Sequence, residues 1–200
     1  LEKFGHADRL NQYVVAHVLK DALTLENKVP LKIAINISPK VIKIDSHIEV
    51  LVNMVKAHQE KLNQKRILIE FEITESSFTH GNFKLLRKAL NMTKKAGITC
   101  AMDDFGVEYS SISRLTEFSF DMVKIDQFFI QKLDKKNGKL SKAVIKVLVQ
   151  LAEDLGFVLL AEGAETKKQV HHLIELGCEY VQGFYYYKPM PIKSINQIIK

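Results

Sequence analysis

Residues 98–106 carry two adjacent carboxylates at the end of an apolar run, Asp103 and Asp104, followed by Phe105 and Gly106. Two acids this close repel each other unless a positive charge lies between them, and hard cations such as Mg²⁺ or Mn²⁺ prefer carboxylate oxygen. A surface turn in which both aspartates cap the next helix would also explain the pair. The pair alone therefore leaves a metal site and a surface turn open.

Six stretches of the chain have the apolar pattern of strands. They are residues 31–37, 66–73, 98–103, 121–126, 157–162 and 180–184. A polar side chain lies at the C-terminal end of each stretch or beside it: Asn36, Glu72, Asp103 with Asp104, Lys124, Glu162 and Gln182. Surface turns alone are a poor explanation for this shared position, so the pattern favours a single functional site.

Helical spacing of apolar residues predicts helices over residues 8–25, 47–58, 82–95, 140–155 and 167–176. Strands that alternate with helices indicate a parallel sheet with right-handed crossovers, either an open sheet or a barrel. No glycine-rich phosphate loop follows a strand. A barrel gathers the ends of all its strands, whereas an open sheet gathers only those near its switch point. We therefore predict an α/β fold, a TIM-type (β/α)8-like barrel with a part missing.

Composition narrows the class of protein. A chain of 200 residues with 46% hydrophobic content suits one domain with one core. No apolar run approaches the roughly 18 residues of a membrane span, and no signal peptide is visible.

Cys100 and Cys178 show neither metal-site nor disulfide spacing, which fits a reducing cytoplasm. The net charge of +6 is spread along the chain, so we expect no DNA or RNA polymer as partner.

The strand-end residues have the chemistry of a two-metal centre. Asn36, Glu72 and Asp103 offer oxygen ligands for one ion, and Asp104 with Glu162 can reach a second. Two ions about 3.5–4 Å apart would clamp a phosphodiester and activate a water molecule.

The remaining strand-end residues suit roles around such ions. Lys124 is a fixed cation that could orient the water or neutralise a phosphoryl oxygen. Glu162 is an alternative general base, and Gln182 can position water or substrate. Structural roles are equally open for each residue taken alone, because Glu72 could pair with Lys124 inside the barrel and Asn36 or Gln182 could cap a loop.

Three further clusters favour structural roles. Residues 165–166 have the composition of a helix start, where acids are favoured by the helix dipole. His171 and His172 lie on a predicted helix and are expected at the solvated surface. Residues 185–187 are three tyrosines, for which we expect packing at the barrel rim, although one of them could contact a base.

The polar motifs occur together in a fixed order. They are Asn36-Ile37-Ser38, Glu72-Ile73-Thr74-Glu75-Ser76, Asp103-Asp104-Phe105-Gly106, Lys124-Ile125-Asp126, Ala161-Glu162-Gly163-Ala164-Glu165-Thr166, Gln182-Gly183-Phe184 and Lys188-Pro189-Met190-Pro191. In this order they resemble the EAL domain, the bacterial phosphodiesterase domain that hydrolyses cyclic di-GMP to linear pGpG. The resemblance covers nearly the whole chain. It implies a barrel, dependence on Mg²⁺ or Mn²⁺, and a cytoplasmic signalling role, often beside upstream sensory or signalling domains.

The resemblance also implies a role for each motif residue. The implied metal ligands are Asn36, Glu72, Asp103 and, for the second ion, Asp104. Lys124 and Glu162 match the residues that activate water, while Asp126, near the second ion, and Gln182, near the nucleophile, match the substrate side of the site. Glu75 matches a glutamate that anchors the loop after the aspartate pair, here through Ser110.

Two departures from the family pattern bear on activity. The glutamate-alanine-leucine motif is absent, so we expect residues 1–200 to form an EAL-type domain truncated at its N-terminus, without its first strand and one ligand glutamate. After Gly106, the residues Val107-Glu108-Tyr109 stand where the family has a flexible glycine before an aromatic residue. In the family this loop couples the site to a dimer interface, which implies a homodimer through the loop after Asp104.

Two hypotheses remain open. The first is a metal-dependent cyclic di-GMP phosphodiesterase that is active when the full domain is present, because the visible metal and water-activating positions are retained. For residues 1–200 alone we expect weak or no turnover, because one ligand of the first metal is missing. The second is a weak or inactive domain that acts as a cyclic di-GMP receptor or a protein-interaction module, because the loop is altered and the first motif is absent.

Overall fold

The computed structural model describes residues 6–42, 44–78, 83–106, 112–136 and 138–199. Its elements in chain order are α1 Ala7–Ala22, β1 Leu31–Asn36, α2 Pro39–Ile42, α3 Asp45–Lys56, α4 Gln59–Gln64, β2 Ile67–Thr74, α5 Phe83–Lys95, β3 Thr99–Phe105, α6 Ile112–Glu117, β4 Met122–Ile125, α7 Gln127–Ile130, α8 Gly138–Leu155, β5 Val158–Ala161, α9 Lys167–Glu175, β6 Tyr180–Val181 and α10 Ile192–Ile198. A short 3-10 turn, Glu75–Phe78, follows β2.

The chain forms two compact units. The first unit contains the chain up to Cys100 together with the residues from Met190 onwards, and the second contains Ala101–Pro189. The strand β3 therefore begins in the first unit and ends in the second. Each unit has its own parallel strands and covering helices.

In the first unit, β1 and β2 pair in parallel, with Leu31 opposite Ile67 at one end and Asn36 opposite Glu72 at the other. Apolar residues at helical spacing bury one face of each long helix. In α1 this face includes Val15, Leu19 and Ala22, and in α3 it includes Ile48, Leu51, Val52 and Val55. The register brings two of the predicted site residues side by side at the C-terminal ends of their strands.

The C-terminal helix α10 is fixed to the loop that follows α1. The Asn196 side chain accepts a hydrogen bond from Glu26 N at 2.9 Å and donates one to Thr24 O at 3.3 Å. Lys28 N donates to Ile199 O at 3.2 Å. These bonds explain how residues distant in sequence belong to the same unit.

In the second unit, β3, β4, β5 and β6 pair in parallel in chain order. The central strand β4 is buried along its whole length, Met122–Ile125, as expected for a parallel strand covered on both faces. Helix α8 buries Ile145, Leu148 and Ala152 on one side. The site residues of this unit therefore follow strands that are buried beneath covering helices.

The predicted alternation of strands and helices is confirmed, with a parallel α/β arrangement in each unit. Two boundaries differ in ways that matter for the site. Strand β3 continues through both aspartates to Phe105, and β6 ends at Val181, so Gln182 follows the strand. Short helices that sequence periodicity did not predict are α2, α4, α7 and α10. No helix among the described residues is long and apolar enough to cross a membrane.

Candidate active site

The two aspartates form a β-bulge at the end of β3. Met102 lies opposite Val123 and Phe105 lies opposite Ile125, so two residues of β3 oppose the single residue Lys124 of β4. A bulge of this kind bends the strand and redirects a side chain, and bulges are frequent beside active sites. In a regular strand Asp103 and Asp104 would point to opposite faces.

The backbone of Asp104 carries the distortion. Its φ angle is +57°, in the left-handed region, where a residue other than glycine is uncommon and aspartate is among the better tolerated. The Asp104 N–H donates to Asp103 Oδ1 at 3.0 Å, which fixes the two residues relative to each other. Strain of this size is retained mainly where function or surrounding structure requires it.

The bulge brings three carboxylates together. One oxygen from each of Asp103, Asp104 and Glu162 lies within 4.8 Å of the others. The Lys124 ammonium lies between two of them, 3.2 Å from Asp103 Oδ1 and 2.5 Å from Glu162 Oε1. Asp103 and Lys124 are buried, with 7% and 4% of their surface exposed.

The charge balance of this cluster fits a divalent cation. The three carboxylates and the one ammonium group have a summed formal charge of −2, which would attract a divalent cation. The donor atoms are oxygens only, which suits Mg²⁺ or Mn²⁺ rather than a metal that prefers sulfur. The residues therefore fit the cation that the sequence predicted.

Backbone hydrogen bonds hold Glu162 and Gln182 at the ends of their strands. Glu162 N donates to Ile125 O at 3.0 Å, and Gln182 N donates to Ala161 O at 2.8 Å. Both residues thus extend the ladder one step past the last strand residue. As a result, their side chains start from the same edge of the sheet as the carboxylate cluster.

A cavity of about 250 Å³ opens beside the carboxylate cluster. It is lined by Asp104, Asp126, Gln127, Glu162, Gly163, Glu165, Gln182, Gly183 and Phe184. Asp126 also caps α7, since its Oδ1 accepts a hydrogen bond from Phe128 N at 2.7 Å. One carboxylate oxygen of Asp126 is therefore engaged in a structural bond, although the residue still borders the cavity.

The other predicted site residues lie in the first unit. Asn36 is exposed and Glu72 is buried, and as register partners in parallel strands they share one face of the β1–β2 pair. Glu75 is also buried, at the start of the 3-10 turn. Ser110, its predicted partner in the loop, lies outside the described residues, as do residues 107–109. The loop-anchor assignment therefore stays a prediction.

The expected helix start at residues 165–166 is confirmed as a capping box. Thr166 is the N-cap of α9, its Oγ1 accepts from Gln169 N at 3.2 Å, and Gln169 Oε1 accepts from Thr166 N at 3.0 Å. Glu165 nevertheless contributes to the cavity wall. The sequence predicted only a helix start at residues 165–166 and did not indicate that Glu165 lines the cavity.

The two adjacent histidines of α9 differ from each other. His171 is largely exposed, as predicted, whereas the His172 side chain is only 17% exposed and lies 3.4 Å from Asp134 Oδ1. The hydrogen bond from His172 and the charge of His171 lower the pKa of Glu175, the acid one helical turn further along. These contacts belong to the outer surface of α9.

Sequence reasoning missed Gln127 and Phe184 as cavity-lining residues. It placed Phe184 at the end of the last strand and considered only the tyrosines after it as base contacts. Those tyrosines, Tyr185–Tyr187, are exposed and do not line this cavity. The position of Phe184 directly after Gln182-Gly183 was the available signal, because a strand-end glutamine implies that its neighbours also border the site.

Comparison with known proteins gives a consistent result. A model of the EAL domain matches residues 1–189. The chain is 36% identical over 162 residues to the cyclic di-GMP phosphodiesterase RocR of Pseudomonas aeruginosa, a match over 81% of this chain and 40% of RocR. Across the first curated relatives, the chain spans only 23–40% of the length of each one.

Solved structures agree over nearly the whole chain. The crystal structure of the EAL domain of Mycobacterium smegmatis DcpA superposes with a TM-score of 0.81 at 27% identity, covering 96% of this chain and 84% of that one. The manganese and cyclic di-GMP complex of Klebsiella pneumoniae BlrP1 gives a TM-score of 0.72 at 28% identity, over 92% and 44% of the two chains. These likenesses confirm the predicted fold class, an α/β barrel of TIM type.

Proposed function

The chain belongs to the EAL domain family, and we propose that it hydrolyses cyclic di-GMP to linear pGpG with divalent cations held by strand-end carboxylates. The observation that carries the proposal is the bulge, at which carboxylate oxygens of Asp103 and Asp104 lie within 4.8 Å of each other and of Glu162. Asp103 and Glu162 also contact the Lys124 ammonium. The relative RocR is named a cyclic di-GMP phosphodiesterase, which supports the substrate class.

Asp103 and Asp104 are the residues proposed to hold metal. A bound divalent cation would polarise a phosphoryl oxygen and make a water molecule more acidic. Asn36 and Glu72 are proposed to complete the ligand set of the first ion, on the strength of their strand-end positions and the family motifs. Mg²⁺ and Mn²⁺ are both proposed as the ion, and the manganese complex of BlrP1 supports the second.

Lys124 and Glu162 are proposed to handle the attacking water. Glu162 Oε1 would accept the proton that the water loses, since a half-buried carboxylate at a strand end is a suitable general base. The Lys124 ammonium, held against Glu162 and Asp103, would donate hydrogen bonds to the developing negative charge on phosphoryl oxygen. Both roles depend on the position of Lys124 in the buried strand β4.

Gln182 and Asp126 are proposed on the substrate side, since both line the cavity beside the cluster. The Gln182 amide can donate to phosphate or accept from water. Asp126 keeps one oxygen on the α7 cap, so its part is orientation of α7 and of the cavity wall.

The setting of the reaction is also proposed. Residues 1–200 act as one EAL-type domain, beside other signalling domains, because the chain spans under half the length of its first curated relatives. Cytoplasmic action is supported by two buried cysteines that are not joined in a disulfide. A homodimer through the loop after Asp104 rests on family analogy, and Glu75 with Ser110 is proposed to anchor that loop.

A receptor function is the second candidate. Glu108 stands at a loop position where the family has a flexible glycine, which restricts the backbone and adds a negative charge after the aspartate pair. Under this alternative the protein binds cyclic di-GMP and leaves it intact. The product of the reaction separates the two functions.

The test is hydrolysis of cyclic di-GMP by the wild type, by Asp103→Asn and by the control Asp154→Asn, with product resolved by chromatography. Asp154 is exposed on α8, so its variant should keep full activity. Asp103→Asn should lose activity at least 100-fold, because it removes a charge from the proposed metal and from Lys124. Full activity of Asp103→Asn would refute the metal-centre proposal, whereas wild-type binding without product would favour the receptor.

A further inference from the structure

The short helix α7 follows directly after the strand that carries Lys124, with Asp126 alone between them. The Asp126 carboxylate accepts a hydrogen bond from Phe128 N at 2.7 Å, which caps the start of the helix. Ile130, at the end of the helix, is buried, with 0% of its surface exposed. Because both ends of α7 are held, its position is fixed relative to Lys124.

The Phe129 ring of α7 lies against the chain that leaves β3. Gly106 comes two residues after Asp104 and has a φ of +103°. A Cβ added at Gly106 would collide with the Phe129 ring. Close-packed side chains leave little room for movement, so the ring restricts the backbone directly after the aspartate pair.

Gln127 of α7 makes a similar contact with the chain that leaves β5. Gly163 follows Glu162 directly and has a φ of +74°. A Cβ added at Gly163 would collide with the Cβ of Gln127. Helix α7 therefore contacts the chain on both sides of Lys124, next to Asp104 on one side and next to Glu162 on the other.

The position of Asp104 depends on its backbone. Its side chain is exposed, so packing around the side chain does little to place it. One of its carboxylate oxygens nevertheless lies within 4.8 Å of oxygens of Asp103 and Glu162, although carboxylates this close repel one another. A divalent cation binds tightly only where its ligands are held at the coordination distance. Restraint of the backbone beside Asp104 would supply that spacing.

We infer that Phe129 is a positioning residue for the metal centre, whose ring holds Asp104 in place through Gly106. Gln127 restrains Glu162 in the same way through Gly163. This inference rests on the proposed function, which places a divalent cation among these carboxylates. Phe129 is not among the described residues that line the cavity. Its replacement should therefore weaken metal binding and leave substrate binding nearly unchanged.

The test is Mn²⁺ binding by the full-length protein, measured from the EPR signal of free Mn²⁺. Asp103→Asn shows how much Mn²⁺ binds elsewhere. Phe129→Ala should raise the Mn²⁺ dissociation constant roughly 10-fold, the lower end of the effect of residues that orient metal ligands. Phe128→Ala is the matched control, because the Phe128 ring is 49% exposed and faces Lys132. It should keep the wild-type affinity within about threefold.

Steady-state kinetics separate positioning from a merely structural role. In Phe129→Ala, the Mn²⁺ concentration that gives half-maximal hydrolysis of cyclic di-GMP should rise about 10-fold. At saturating Mn²⁺ the KM for cyclic di-GMP should stay within about threefold of the wild-type value. A loss of folded protein alone would lower the rate at every Mn²⁺ concentration and leave the half-maximal concentration unchanged.

A double-mutant cycle tests the contact between Phe129 and Gly106. Gly106→Ala places a methyl group against the ring. It should raise the Mn²⁺ dissociation constant at least about fivefold more in the wild-type background than in the Phe129→Ala background. The backbone strain of alanine at this φ is present in both arms and cancels. Equal effects in the two backgrounds would overturn the role of this contact.

Gly163→Ala tests the second contact and does not require Phe129→Ala to fold. Its matched control is Gly156→Ala, because the two glycines have φ angles of +74° and +76° and no atom lies within 4 Å of a Cβ added at Gly156. Only Gly163→Ala should raise the Mn²⁺ dissociation constant, by roughly 10-fold. Equal Mn²⁺ affinity of the two variants would show that contact with α7 does not position Glu162.

Failure of the inference and failure of the proposed function have different signatures. Wild-type Mn²⁺ affinity in Phe129→Ala, with hydrolysis retained, would overturn the positioning role and leave the proposed function intact. If the wild type binds no more Mn²⁺ than Asp103→Asn and yields no pGpG, the metal centre itself fails, and the positioning role falls with it.

Discussion

The ammonium of Lys124 lies 2.5 Å from Glu162 Oε1, and the two side chains are only 6% and 18% exposed. The same ammonium contacts Asp103 Oδ1 at 3.2 Å. An ion pair withdrawn from water adds little net stability when complete, but removing one partner leaves the other charge uncompensated. Removal of Lys124 is therefore expected to destabilise the cluster.

Replacement of Lys124 by methionine should destabilise the protein more than any exposed lysine replacement. The expected loss is about 3–5 kcal/mol in free energy of unfolding, because Asp103 and Glu162 are left without their cation. Mg²⁺ or Mn²⁺ should restore part of this loss, since a divalent cation supplies the missing positive charge. Urea unfolding with metal and with chelator measures both effects.

The control for Lys124 is Lys146→Met on the exposed face of α8, which should change the unfolding free energy by less than about 0.5 kcal/mol. Equal losses for the two variants would show that the buried ion pair has no special role. A loss at Lys124 that metal leaves unchanged would contradict the placement of a cation among these carboxylates.

Replacement of Asp104 by glycine should destabilise the protein less than replacement by alanine. Its φ of +57° costs a residue with a Cβ about 1–2 kcal/mol, while glycine adopts it freely. We expect Asp104→Gly to be more stable than Asp104→Ala by about 1 kcal/mol in urea unfolding, although both lose the carboxylate that is proposed to bind metal. Alanine as stable as glycine would show that the left-handed conformation is not required.

Substitution of Gly183 should affect activity as well as stability. An added Cβ would collide with the Ala164 backbone, so the turn that carries Gln182 and Phe184 must move, at a cost of about 1–3 kcal/mol. Gly156→Ala is the matched control, since its φ of +76° is strained but no atom lies within 4 Å of the added Cβ. Both variants should lose stability, and only Gly183→Ala should raise the KM. An unchanged KM would mean that the turn does not position site residues.

The buried thiol of Cys178 gives a prediction on pH. Burial raises its pKa from 9.0 to about 11. Because the folded state holds the proton more tightly than the unfolded state, this stabilising contribution is complete below about pH 9 and lost as pH rises towards 11. Relative to Cys178→Ala, the wild type should lose stability over that window in urea unfolding. Parallel curves for the two proteins would show that the thiol does not ionise differently on folding.

The strand-end position of the site residues was predictable because it depends on chain pattern alone. Apolar runs followed by Asp103, Lys124 and Glu162 indicate parallel strands whose ends meet, and the observed register agrees. The bulge was not predictable, since sequence shows that two acids are adjacent but not that they share one partner across the sheet. The bulge depends on the left-handed backbone conformation of Asp104. Aspartate can adopt this conformation, but an aspartate in the sequence does not require it.

The cavity wall was harder to predict for a similar reason. Phe184 has the pattern of a strand residue, but β6 ends at Val181 because Gln182 and Gly183 turn to bond the Ala164 backbone. That close approach is a tertiary contact, invisible to periodicity. The low exposure of the His172 side chain also reflects tertiary structure, because its ring lies 3.4 Å from Asp134 Oδ1, a residue 38 positions away in the sequence.

The most direct test of the metal centre is the metal dependence of cyclic di-GMP hydrolysis by the full-length wild-type protein. Purified protein is incubated with cyclic di-GMP and Mg²⁺, Mn²⁺ or chelator, and nucleotides are separated by chromatography. We expect pGpG with either metal and a loss of at least about 100-fold with chelator, reversed by adding metal back. Equal rates with chelator and with metal, or no pGpG under any condition, would contradict the claim that Asp103, Asp104 and Glu162 form a metal-dependent phosphodiesterase centre.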